Sequence, residues 1–160
     1  MRTASASTFS FDPDLQFVCP ELVWFYTYWN AKRGERPFPA RTDVAPRDLV
    51  RFLPWVHMYD VLDGGKDFRI RLYGTEIDNL FGINDFRGKP ISTLPPPAYE
   101  RLREHLMQVL KTRAPVRAYT ASSVLPKQDY KSAEDIYAPL SSNAVDIDVI
   151  IAVTHLEKNV

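Results

Sequence analysis

Cysteine is almost missing from this chain: Cys19 is the only one among 160 residues, so no internal disulfide can form, and a reducing compartment suits it. Net charge is missing as well. Lysine plus arginine number 20 and aspartate plus glutamate 20, which leaves no global field to draw the chain to nucleic acid or an anionic membrane. No apolar run is long enough to span a bilayer, and the opening MRTASAST lacks the apolar core of a signal peptide, so a cytoplasmic protein is expected. His57, His105 and His155 are the only histidines. None stands beside a second ligand type at metal spacing, and HExxH, CxxC and His-x-His are absent, so no metal site is expected. Gly64 and Gly65 read as a turn and the other glycines are isolated, which excludes a phosphate-cradling loop. None of Ser122, Ser123, Ser141 and Ser142 sits in a G-x-S-x-G elbow, while capping and solvation explain Glu76, Asp78 and Asp85. No catalytic residue is expected.

What the chain does contain is organised around residues 67 to 82, DFRIRLYGTEIDNLFG. Phe68, Ile70 and Leu72 alternate with Arg69, Arg71 and Tyr73, the pattern of a strand with one face inward. Gly74 breaks it. Thr75 is placed to N-cap a short helix with Asp78 at its third position, and Gly82 to end that helix. Arg69, Arg71, Arg87 and Lys89 read as solvated charges, and Arg41 with Asp43 as a local pair or cap.

Upstream, residues 1–14 are aperiodic and read as a flexible tail, with Phe9 and Phe11 tethering its end. Residues 15–54 form an N-terminal helical extension. In its first helix, Glu21 to Arg33, Leu22, Phe25, Tyr26 and Trp29 mark one apolar face, while Trp24, Tyr28 and Ala31 mark another. That second face is either a dimer contact or covered within the chain. A short helix from Pro46 ends at Pro54, and a strand from Trp55 to Leu62 pairs as a hairpin with the one at 67. A longer helix carries Tyr99, Leu102, Leu106, Val109 and Leu110 on one side, between Pro97 and Pro115. Three strands follow, at Val116–Val124, Asp135–Leu140 and Val145–Val153, with Ser141 to Asn143 as a turn and Pro126 to Ser132 as an exposed loop. The order is α+β, with the main domain at 55–156 and a short tail at 157–160.

That element order, with Tyr28 and Trp29 in the first helix, Pro39, Ala40, Arg41 and Asp43 after it, and Leu53 and Pro54 before the first strand, resembles the bacterial stand-alone PAS-like sensory domains. Arg71, Leu72, Gly74 and Thr75, then Phe81, Gly82, Gly88, Pro139 and Leu140, extend the likeness over residues 21–156. The resemblance implies a five-stranded antiparallel sheet ordered 2-1-5-4-3, with helices over one face. It also implies a non-enzymatic sensory or regulatory role, exerted through an unidentified partner protein because no output domain follows the last strand. A small apolar or amphipathic ligand between sheet and helices would meet Ile70, Leu72, Leu80, Phe81, Leu102, His105, Leu106, Val109 and Tyr137. Whether that space is a cavity or a filled core stays open, as does any cofactor. A flavin photosensor of this class needs a cysteine after the Gly-Thr corner, and Cys19 lies ahead of the fold. Haem ligation by His105 is disfavoured because it flanks the apolar stripe and reads as a boundary histidine half in solvent. The resemblance further implies homodimerisation, for which Trp24, Tyr28 and Ala31 are the candidate face. The rival is a small cyclase- or isomerase-like pocket enzyme, which would need Asp60, His105 or Tyr137 to converge in one pocket. A ligand-free interaction adaptor is the third possibility.

Overall fold

The computed structural model describes residues 9–81, 86–121 and 130–158. Gly82, Asp85, Ser122, Ser123, most of the expected loop before Ser132 and the side chain of Phe81 lie outside the described residues. Strand β1 (Phe9–Asp12) precedes helix α1 (Pro20–Arg33), and a kinked 3-10 segment (Pro46–Trp55) leads into β2 (Val56–Leu62). Then come β3 (Asp67–Tyr73), α2 (Thr75–Phe81), a 3-10 turn (Ile91–Thr93), α3 (Pro96–Thr112), β4 (Val116–Ala121), β5 (Tyr130–Leu140) and β6 (Val149–Lys158).

The sheet runs β1-β4-β5-β6-β2-β3, every neighbour antiparallel. Without β1 this is the 2-1-5-4-3 order that the PAS resemblance implies. The sixth strand corrects the expected tail: Phe9 pairs with Thr120 and Asp12 with Arg117, whose guanidinium reaches Asp12 at 3.2 Å. Phe9 and Phe11 lie 4.4 and 5.3 Å from the His105 ring. They cover it. His105 is only 3% exposed, against the expected boundary position, because the edge strand sets Phe9 and Phe11 against it in the middle of α3.

Pro20 opens α1 and Gly34, at φ 60°, closes it by donating its N–H to the Asn30 carbonyl. Leu22, Phe25 and Trp29 are buried, and α1 packs on β5. The Trp29 indole N–H bonds the Pro139 carbonyl at 2.9 Å, where β4 no longer runs alongside β5. Proline is tolerated there because no strand needs its missing N–H. Residues 149–153 of β6 are all buried, since helices lie on both sides of the sheet. The expected alternation from Val145 therefore misplaced the strand start. The Asn143 side chain accepts from the Val145 and Asp146 N–H groups and Asp148 accepts from Ser142, which holds 141–148 as a loop, and β6 runs past 157.

Two local features position the site. The β2–β3 register shifts between Met58 and Tyr59, with Met58 opposite Leu72 but Tyr59 opposite Ile70. This bulge moves Leu72 to Met58's face and puts Tyr73 beside His57. After it, Gly74 accepts the Asp78 N–H at 3.0 Å, so the helix cap falls one residue before Thr75.

Candidate functional site

A cavity of about 150 Å³ lies between the sheet and α2 with α3. Its floor comes from alternate residues of five strands: His57 and Tyr59 from β2, Tyr73 from β3, Thr120 from β4, Ala133, Asp135 and Tyr137 from β5, Thr154 and Leu156 from β6. Its roof comes from the helices, with Ile77 and Leu80 in α2 and Ala98, Arg101, Leu102 and His105 in α3, while Leu94 and Pro95 lie just ahead of α3. The floor is mostly polar and the roof mostly apolar.

The floor groups are joined in a chain. His57 Nδ1 lies 2.7 Å from the Tyr59 hydroxyl and His57 Nε2 2.8 Å from Thr154 Oγ1, and Thr154 Oγ1 lies 2.5 Å from Asp135 Oδ1. The Tyr59 hydroxyl lies 3.4 Å from that of Tyr73. Each hydroxyl has one proton to donate, so the chain has two self-consistent directions. With Asp135 ionised, Thr154 donates to the carboxylate, His57 Nε2–H to Thr154, and Tyr59 to His57 Nδ1. With Asp135 protonated on Oδ1, every donor reverses and Tyr59 donates to Tyr73.

Burial sets the charge states. It pushes the Asp135 carboxyl up to about 7, against the Thr154 hydrogen bond and the Arg101 charge, and pushes His57 down to about 3. His105, whose Nδ1 bonds the Arg101 carbonyl at 2.6 Å, falls to about 4 for the same reason. Burial also lifts the Tyr73 phenol to about 12 and those of Tyr59 and Tyr137 well above their usual range. Near neutrality only Asp135 in this floor stands close to a change of charge.

Of the residues expected around the space, Leu80, Leu102, His105 and Tyr137 line the cavity. Ile70, Leu106 and Val109 are buried in the surrounding core, and Leu72 sits on the opposite face of the sheet. His105 and Tyr137 meet with ring centres 5.2 Å apart, but Asp60 does not join them. Its carboxylate binds Arg69 at 3.1 Å and Arg71 at 2.8 Å on the other face. His57, Tyr59, Tyr73, Asp135 and Thr154 were missed. The available signal was polar residues at every second position of the strands, and only the register shows that those positions face a cavity.

Elsewhere Asp43 accepts from Ala40 N–H and pairs with Arg36 at 2.8 Å, a local cap, and Arg87 pairs with Asp78 at 3.5 Å. On α1, Trp24 stacks on Tyr28 at 5.0 Å, the Tyr28 hydroxyl donates to Asp48 at 2.7 Å, and Ala31 is exposed.

A family model described as a PAS domain matches residues 19–154. The chain belongs to the PAS domain family. No curated protein and no solved structure matches it significantly. The PAS assignment brings a sensory or regulatory role in signal transduction, non-enzymatic as a class, and fits the sheet and the helices that roof it. No helix among the described residues is long and apolar enough to cross a membrane.

Proposed function

We propose that this PAS domain is a cytoplasmic, non-enzymatic sensor that binds a small amphipathic ligand between sheet and helices and passes its state to a partner protein. The observation that carries this reading is the cavity itself, mostly polar on the sheet side and mostly apolar on the helix side, where Arg101 and His105 are the polar residues. At about 150 Å³ it is the size of an engineered cavity that takes up benzene, so a monocyclic ligand fits the volume. Its ring would lie against Leu80, Leu94 and Leu102, with its polar group toward Asp135 and Tyr137. Protein purified without denaturation is expected to carry a small-molecule adduct in native mass spectrometry, and folded Ala98→Phe, which fills the cavity, to lose it. A bare mass for the wild type, together with a crystal structure whose interior is filled by side chains, would reduce the domain to a ligand-free interaction adaptor.

One feature favours the pocket-enzyme reading: burial pushes the Asp135 carboxyl up to about 7, the range suited to a general acid or base. PAS membership weighs against it. Recovering the bound molecule chemically unchanged after prolonged incubation separates the two readings, whereas turnover would make Asp135 and His57 catalytic.

Homodimerisation through α1 belongs to the same proposal. Val23 and Trp24 are 46% and 37% exposed there, beside Ala31, on a helix whose other face already packs on the sheet. Tyr28 is better left intact in a test, because its hydroxyl also receives the Ala45 N–H at 3.3 Å. Val23→Glu with Trp24→Glu is expected to give a folded monomer in light scattering. An unchanged dimer would move the interface elsewhere, and a monomeric wild type would remove it.

A further inference from the structure

Cys19 immediately precedes α1, Glu21 lies in the first turn of α1, and His155 lies near the end of β6. The fold brings the Cys19 sulfur, a Glu21 carboxylate oxygen and a His155 ring nitrogen within 4.8 Å of one another. We propose that these three side chains form a zinc site that clasps the start of α1 to strand β6. Sequence spacing hid it, because one ligand comes from the far end of the chain.

The donor set matches the metal. Thiolate, imidazole and carboxylate are the three donor types that Zn²⁺ takes in proteins, at roughly 2.3, 2.0 and 2.1 Å. Donors around such a tetrahedron stand about 3.5 Å apart. Cys19 Sγ and Glu21 Oε2 are already 3.0 Å apart, with the thiol donating to the carboxylate. Glu21 and His155 are exposed, so their side chains can turn to complete the set, while Cys19 is buried and held. Its backbone N–H donates to Glu134 Oε1 at 2.8 Å and that of Val18 to Glu134 Oε2 at 2.9 Å. Glu134 is in turn paired with Arg117 at 2.6 Å and lies directly across the strands from His155. The carboxylate that anchors the Cys19 backbone and the imidazole therefore sit side by side on one face of the sheet.

Coordination would displace the thiol proton to solvent, and thiolate plus carboxylate would balance the dication. A groove beside Trp55 and Arg51 borders both Glu21 and His155, which leaves room for a water as the fourth ligand. The Arg51 guanidinium, the opposing charge near Glu21, is drawn over the Trp24 ring at 5.6 Å. Burial and the Glu21 contact push the metal-free thiol up to about 11, which argues against a redox-reactive cysteine.

The test uses the full chain. Titration with Zn²⁺ in a calorimeter is expected to show one equivalent bound, and Co²⁺ in its place to give a thiolate-to-metal charge-transfer band in the near ultraviolet. Cys19→Ser keeps a hydrogen-bonding group at a helix N-cap, where serine is favoured, so the fold should survive, as circular dichroism would check. That variant is expected to lose the band and about a hundredfold or more in Zn²⁺ affinity. His155→Gln should keep the band and lose about tenfold or more. Zn²⁺ should raise the melting temperature of the wild type and of neither variant by as much. A Co²⁺ spectrum without the charge-transfer band, or Zn²⁺ affinity unchanged in both variants, would overturn the site.

Discussion

Gly74→Ala is expected to destabilise the domain by about 3–5 kcal/mol, enough to leave it largely unfolded if its total stability lies in the usual range of roughly 5–15 kcal/mol. The cause is contact, not backbone freedom. Gly74 is not among the residues at positive φ. A β-carbon there would stand 2.3 Å from the Pro54 carbonyl oxygen and 2.4 Å from that of Leu53. Both are main-chain atoms of the 3-10 segment and cannot swing aside as a side chain would. Relief would require the β3–α2 corner to lift from that segment, stretching the Gly74 N–H bond to the Val56 carbonyl, now 2.7 Å. It would also shift α2, which carries Ile77 and Leu80 over the cavity. Gly64→Ala is the control. Gly64 sits at φ +69° with nothing within 4 Å of an added β-carbon, so only left-handed strain of about 1 kcal/mol is expected. Urea unfolding of both variants measures the difference. A Gly74→Ala variant as stable as Gly64→Ala would mean that the corner and the 3-10 segment are not in this contact.

This contact also gives a physical reason for two sequence motifs to occur together. The Leu-Pro pair at 53 and 54 and the glycine of Arg-Leu-x-Gly-Thr are the two sides of one close approach. Elements fixed by local chemistry were legible: α1 with its proline start and glycine stop, α3, the β2–β3 hairpin and the α+β order. Features set by pairing between distant strands were not. The bulge opposite Met58 and Tyr59 left no local mark on residues 67–73, so Leu72 was assigned the inward position that Tyr73 holds. β1 reads as tail because FSFD is too short to announce a strand, and its pairing with β4 depends on residues more than a hundred positions away. The burial of His105 follows from that pairing. Asp135 looks like the start of a strand and Thr154 lies just past the expected end of the last one, and only the side-by-side placing of β5 and β6 under a cavity turns them into its polar floor.

Asp135→Asn is expected to stabilise the protein at pH 8 by about 2–4 kcal/mol and to be nearly neutral at pH 4. Burial raises the folded carboxyl from 3.8 to about 7, so the folded state keeps a proton that the unfolded chain releases earlier. Between those values the folded state binds more protons, and stability falls with rising pH until about 7, beyond which the full penalty remains. The histidines act in the opposite sense. His57 is lowered from 6.5 to about 3 and His105 to about 4, so below about 6.5 the unfolded chain takes up protons that the folded chain refuses, and stability falls on acidification. From pH 4 to 6.5 two rising contributions face one falling one, so wild-type stability should climb in that window and level off or decline slightly to pH 7. In Asp135→Asn the falling contribution is gone. The climb should be steeper and the small decline absent. Asparagine removes the ionisation while its amide can still accept from Thr154 through Oδ1 or donate to it through its N–H, so the variant loses the pH-dependent change of direction along the chain. Ionised Asp135 fixes the His57 proton on Nε2 above pH 7 in the wild type, so the His57 tautomer should change across that pH in the wild type and not in the variant, which nitrogen NMR of the imidazole reads directly. A stability gap between variant and wild type that is the same at pH 5 and pH 8 would show that Asp135 ionises at an ordinary value. With an unchanging His57 tautomer in the wild type, the chain from Tyr73 to Asp135 would be static packing rather than a path along which the cavity's protonation state is transmitted.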